Sequence, residues 1–96
     1  EMEMNEKLMA AVRQCVEKHF VTPDEIASIV EEKHFWHVPG TTMTVCCIKL
    51  VNGFTVLGQS ACFDPTVFDV KLGEKYAYED ALEKTGRFLA FTASSL

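Results

Sequence analysis

Four cysteines, three histidines, one lysine set in an apolar run and one aromatic pair are the residues of this chain with chemistry to offer. Cys15, Cys46, Cys47 and Cys62 invite a metal site or a disulfide. A zinc site is built from ligand pairs such as Cys-x-x-Cys, and the chain has none. Cys46 and Cys47 are neighbours, so on a strand they point to opposite faces and cannot act together. If Asn52-Gly53 is a two-residue hairpin turn, Cys47 faces Gly58 and Cys62 faces Met43. The two thiols then share a face about 13 Å apart along the strand, roughly twice the reach of a disulfide. The four cysteines therefore read as buried, free thiols.

The histidines fare no better as ligands. His34 and His37 flank Trp36 at i,i+3 spacing, which on a strand sends the two rings to opposite faces. His19 falls at the end of a helical pattern, where a cation complements the dipole. Lys49 is either an anion-binding lysine or one whose stem lies over a sheet edge with its ammonium in water. Ser60 and Cys47 are the nearest approach to a nucleophile, and neither sits on a nucleophile elbow or at a helix N-terminus. Gly53 and Gly58 belong to the hairpin, so no glycine-rich phosphate loop is left. The expectation is a non-enzymatic protein with no metal and no cofactor. Phe35-Trp36, on a first strand at the sheet edge, either caps the core or anchors a partner. Phe35, Trp36, His34 and Lys49 are the candidate partner-binding residues.

The elements that must position them follow from periodicity. Leu8, Val12, Cys15, Val16 and His19 repeat at helical spacing, predicting an amphipathic helix over about residues 4–19. Thr22-Pro23-Asp24-Glu25 predicts a fresh helix start, with a Thr N-cap, Pro at the first position and Glu closing a capping box. That second helix should end near Glu32. Residues 33–38 then alternate, Pro39-Gly40 turns the chain, and residues 42–51 form a β-branched run ahead of Asn52-Gly53 and residues 54–62. A three-stranded antiparallel meander results. The two-residue turn would group Thr44, Cys46, Ile48 and Leu50 with Thr55, Leu57 and Gln59 on one face. Met43, Val45, Cys47, Lys49 and Val51 would join Phe54, Val56, Ser60 and Cys62 on the other. Asp64-Pro65 predicts a short turn over 65–68, followed by a helix from about Asp69 to Leu89. Its interior face should carry Leu72, Gly73, Tyr76, Ala77, Ala81 and Phe88, with Asp80–Lys84 and Glu83–Arg87 paired outside. The fold class is α+β: N-terminal helices (1–32), a β-meander (33–63) and a C-terminal helix (64–91), in one domain spanning 1–96.

Ninety-six residues with a net charge of −5 and 48% apolar content suit one small core. The apolar fraction excludes disorder, no run is long enough to span a bilayer, and a broad electrostatic nucleic-acid surface conflicts with the charge. No signal peptide is legible, so the expected compartment is a reducing cytoplasm. The charge is segregated: residues 1–32 hold eight acids and three bases, 33–63 hold two bases and no acid, and 64–96 hold six acids and four bases.

Gly40-Thr41-Thr42-Met43-Thr44-Val45-Cys46-Cys47, Asn52-Gly53-Phe54-Thr55-Val56, Gly58-Gln59-Ser60-Ala61-Cys62, Asp64-Pro65, Phe68-Asp69 and Gly73 occur here in an ordered, nearly gap-free series. Over about residues 33–85 the chain resembles the small tailed-phage proteins called the gene product forty-nine / gene sixty-six family. It departs at Val67, where the family usually has Asn, and at its C-terminus. The resemblance implies a phage or prophage accessory protein working in the host bacterial cytoplasm, and it brings no catalytic residues. Accessory proteins of this kind commonly bind and inhibit a host or antiviral-defence protein, which is the leading expectation. Two others stand beside it. One is a sponge that holds a nucleotide signal between subunits, with Lys49, Lys33 or Arg87 on phosphate. The other is a homo-oligomeric module whose two-sided apolar sheet is covered by a second copy.

Overall fold

A computed structural model of the chain describes residues 6–10, 13 and 22–94, with side chains described up to residue 90. Residues 6–10 and 13 are helical, and Leu8 packs on the core. Most of the helix expected over 4–19, with Cys15 and His19, lies outside the described residues.

Helix α1 (Pro23–Ala27) starts as its sequence requires. Thr22 Oγ1 accepts from the Glu25 N–H at 3.3 Å, and the Glu25 carboxylate accepts from the Thr22 N–H at 3.3 Å. It ends five residues short of the expected Glu32. The Ser28 hydroxyl donates to the Glu25 carbonyl at 2.6 Å and closes the last turn, and Val30 is already paired with Leu50. Pairing of Val30 with Leu50 and of Glu32 with Lys49 takes this segment into the sheet instead.

Strands β1 (Val30–His37), β2 (Met43–Leu50) and β3 (Thr55–Ala61) form an antiparallel sheet in that order, with β2 central. The boundary between helix and sheet regions thus falls at Val30, three residues before the expected Lys33. The hairpin differs too. Leu50 N–H donates to Phe54 O and Gly53 N–H to Leu50 O, both at 2.8 Å, so the loop is Val51-Asn52-Gly53, with Gly53 at φ +88°. A three-residue loop ending in a left-handed glycine is the next commonest hairpin after the two-residue turn. The pairing shifts by one residue: Cys47 faces Leu57 and Cys46 faces Gly58. Because side chains alternate, Val56, Gly58 and Ser60 join Thr44, Cys46, Ile48 and Leu50, and Leu57 and Gln59 move to the other face. Cys47 and Cys62 are therefore on opposite faces as well as out of register, and both are free, as is Cys46.

After the 3-10 turn Pro65–Val67, capped by Asp64, helix α2 (Val70–Ser94) crosses one face of the sheet. Its buried stripe is Gly73, Ala77, Ala81, Leu82, Thr85 and Leu89. Leu72, Tyr76 and Phe88, expected inside, flank that stripe and are about half exposed. The reason is closeness of approach. A Cβ on Gly58 would lie 2.2 Å from the Ala77 carbonyl oxygen and 2.4 Å from the Ala81 nitrogen, so the helix backbone rests directly on the strand. Only small side chains fit under it, and bulky ones are pushed to its sides. Ile26, Ile29, Cys46, Ile48, Leu50, Val56, Leu82 and Leu89 complete the core, each of the larger ones contributing about 1.5–3 kcal/mol by burial. Asp80–Lys84 and Glu83–Arg87 pair on the outside as expected.

Candidate functional site

Only one face of the sheet is covered by α2. On the other, the ladder sets side by side Trp36, Val45 and Gln59; then His34, Cys47 and Leu57; then Glu32, Lys49 and Thr55. Trp36 is 60% exposed and Leu57 61%, values far above those of large apolar residues in a core. The strand alternation that buries Cys46 and Ile48 under the helix necessarily presents Val45 and Cys47 here.

A β-bulge shapes the charged end of this face. Val30 pairs with Leu50 and Glu32 with Lys49, which leaves Glu31 as the extra residue. Lys49 Nζ consequently lies 3.3 Å from Glu31 Oε1 and 3.5 Å from Glu32 Oε2. The Lys49 ammonium is held above its ordinary range, first by its hydrogen bond to Glu31 and then by the charge of Glu32. His34 Nε2 is 3.0 Å from Glu32 Oε1. That hydrogen bond, followed by the charge of Lys49, holds the Glu32 carboxyl below its ordinary range. Two carboxylates share one ammonium, so the cluster carries one uncompensated negative charge. The sheet is not acid-free after all: its two acids enter at Glu31 and Glu32, which helical reading had assigned to the preceding element.

Of the four candidate partner-binding residues, His34, Trp36 and Lys49 are brought together on this open face. Phe35 is not. It pairs with Cys46, turns toward α2 and packs half-buried against the core. Leu57 belongs to the face and was missed, because the two-residue turn had put it on the other side. His37 also turns to the helix side, where its ring stacks on Phe68 with centroids 5.1 Å apart.

Lys49, Lys33 and Arg87 do not converge within the chain. Lys49 is engaged by Glu31 and Glu32, Lys33 Nζ sits 4.7 Å above the Tyr78 ring on the helix side, and Arg87 pairs with Glu83 on α2. Cys46 is buried, and burial pushes its thiol up to about 11, so it is no nucleophile at neutral pH. A pocket of about 200 Å³ between the end of β3 and the start of α2 includes Ser60, Cys62 and Asp69. Their polar atoms are engaged with the backbone: Ser60 Oγ donates to Gly73 O, Cys62 Sγ to Asp64 O, and Asp69 Oδ1 accepts from the Lys71 N–H. Among the described residues no three His, Cys, Asp or Glu side chains gather as a metal site, and no helix is long and apolar enough to cross a membrane.

No curated protein and no solved structure matches the chain. The family model described as Phage protein (N4 Gp49/phage Sf6 gene 66) matches residues 21–95, a span that contains all three strands and α2. With more than three quarters of its length inside that match, the chain belongs to the phage protein family of N4 Gp49 and phage Sf6 gene 66.

Proposed function

We propose that this phage protein is non-enzymatic and acts by binding, and that its target is a host or antiviral-defence protein which it inhibits. The observation that carries this reading is the open sheet face, with Trp36 and Leu57 each about three-fifths exposed on a rigid three-stranded platform. An exposed tryptophan such as Trp36 is the kind of anchor that dominates binding energy when a partner desolvates it, commonly contributing about 2 kcal/mol or more. The polar atoms of the nearest candidate nucleophile, Ser60, are used to hold α2 to β3, which leaves binding as the simpler use of the surface.

The test is to purify the tagged chain and the Trp36→Ala and Leu57→Asp variants from the phage's host, and to identify what co-purifies. Both side chains point away from the core, so circular dichroism and melting should be unchanged. A target held by the unsubstituted chain and lost by both variants supports the reading. Equal recovery with all three proteins overturns the assignment of the face.

A further inference from the structure

We infer that the pocket between the end of β3 and the start of α2 is a binding site separate from the open sheet face, and that it takes a small amine whose apolar body is about one aromatic ring in size.

Size and walls set the apolar body. The pocket holds about 200 Å³, and an apolar cavity of roughly 150 Å³ already admits benzene. Val67 and Phe68 bound it on one side, Leu72 and Tyr76, one helical turn apart on α2, on another, and Ala61 closes it at the end of β3. Val67, Leu72 and Tyr76 are each about half exposed or more. A ring seated among them therefore removes from water apolar surface that the fold itself leaves wet.

Charge sets the polar group. Asp69 is the one charged side chain that lines the pocket. Its Oδ1 accepts the Lys71 N–H at 2.9 Å, and its Oδ2 has no partner among the described residues. Lys71 and Lys75 follow it on α2, but neither lines the pocket. The Lys75 ammonium lies 5.9 Å from the centroid of the Tyr76 ring rather than on the carboxylate. The helix N-terminus offsets part of the Asp69 charge, which keeps the selectivity for a cation modest.

The hydrogen-bonding groups agree with the charge. Thr42 Oγ1 donates to the Cys62 carbonyl, Ser60 Oγ to the Gly73 carbonyl at 2.7 Å, and Cys62 Sγ to the Asp64 carbonyl at 3.1 Å. With those hydrogens taken by the backbone, Ser60 Oγ and Asp69 Oδ2 remain as acceptors, and of the lining side chains only Tyr76 keeps a hydroxyl hydrogen uncommitted. An ammonium supplies three donors and a positive charge. A carboxylate or phosphate supplies neither and meets Asp69 as a like charge.

The experiment follows the backbone amide shifts of the intact protein by two-dimensional NMR during titration with benzylamine, benzyl alcohol and benzoate, which share a ring and differ in the polar group. Saturable shifts are expected around residues 60–62 and 67–76, with benzylamine bound about fivefold more tightly than benzyl alcohol and no saturation by benzoate. Asp69→Asn keeps the helix cap, because its carboxamide oxygen can still accept the Lys71 N–H, and it should bind benzylamine and benzyl alcohol alike. Trp36→Ala and Leu57→Asp should bind benzylamine as the parent does, so the outcome here is independent of what the open sheet face binds. Benzyl alcohol or benzoate bound as tightly as benzylamine overturns the charge assignment. Absence of saturable shifts at these residues with all three compounds overturns the site, and so do shifts that Leu57→Asp abolishes.

Discussion

Replacing Gly58 by Ala adds one methyl group at the point where β3 meets α2, and its cost follows from three distances. The new Cβ would stand 2.2 Å from the Ala77 carbonyl oxygen, 2.4 Å from the Ala81 nitrogen and 2.8 Å from the Ala81 Cα. All three are backbone atoms, so no rotamer change relieves them. To restore ordinary contact α2 must retreat by about 1 Å, which loosens Ala77, Ala81 and Leu82 from Cys46, Ile48 and Val56. Overpacking of a well-filled core costs about 1–3 kcal/mol, more when nothing can yield, and a rigid backbone on both sides puts this case at about 3 kcal/mol. Removal of glycine's freedom in the unfolded chain returns about 0.4–1 kcal/mol. The net expectation is a loss of about 2–3 kcal/mol, or roughly 10–20 °C in Tm for a chain of this size. Urea unfolding followed by far-ultraviolet circular dichroism measures it. Gly86→Ala is the internal control: its Cβ would meet only the flexible end of Ile26, at 3.3 Å, and alanine favours the helix by about 1 kcal/mol. That variant should equal or exceed the unsubstituted protein. A Gly58→Ala protein that melts with the parent would refute the seating of α2 on β3.

Three further outcomes are expected. Thr44 is buried and its Oγ1 has no hydrogen-bond partner among the described residues, so Thr44→Val should raise stability by about 1 kcal/mol, read as a higher urea midpoint. Cys46, shielded and with its thiol pushed up to about 11, should be labelled by iodoacetamide at neutral pH only on unfolding, while Cys47 and Cys62 react in the native protein; peptide mapping by mass spectrometry distinguishes them. The Asp80 carboxyl is held below its usual 3.8, first by its hydrogen bond to Lys84 and also by the Gln59 N–H it accepts. A depressed folded-state pKa stabilises above the unfolded value and loses that contribution as pH falls through and below about 4. The gap in urea midpoint between the parent and Asp80→Asn should therefore be present at neutral pH and close in acid.

Much of this architecture was legible in sequence, and the errors share one cause. The capping box at Thr22–Glu25, the Asp64-Pro65 turn, three antiparallel strands and the long final helix rest on local chemistry, which short segments display fully. The hairpin register does not. Asn52-Gly53 locally favours a two-residue turn, but that register would place Leu57 and Gln59 under α2 and carry Gly58 to the other face. Ala77 and Ala81 admit nothing larger than glycine beneath them, so a contact between distant segments selects the three-residue loop. Glu31 and Glu32 were misassigned for a similar reason: what holds them in a strand is pairing with Lys49, seventeen and eighteen residues away. The open face was half legible. His34, Trp36 and Lys49 were named from their types, whereas Leu57 and the exclusion of Phe35 needed the true pairing.

The hydrogen bond from the Gln59 N–H to Asp80, 2.9 Å long, has a colloidal consequence. A three-stranded sheet has two edges, and alternate residues of β3 aim their backbone groups outward. With Leu50 bonded to Phe54, the outward set is Thr55, Leu57, Gln59 and Ala61. Asp80, reaching over from α2, occupies the middle of that row with a negative charge and divides it into stretches too short to template a strand from another molecule. The helix thus guards the β3 edge against strand addition as well as burying the core. Acid neutralises Asp80 and weakens this block on the β3 edge.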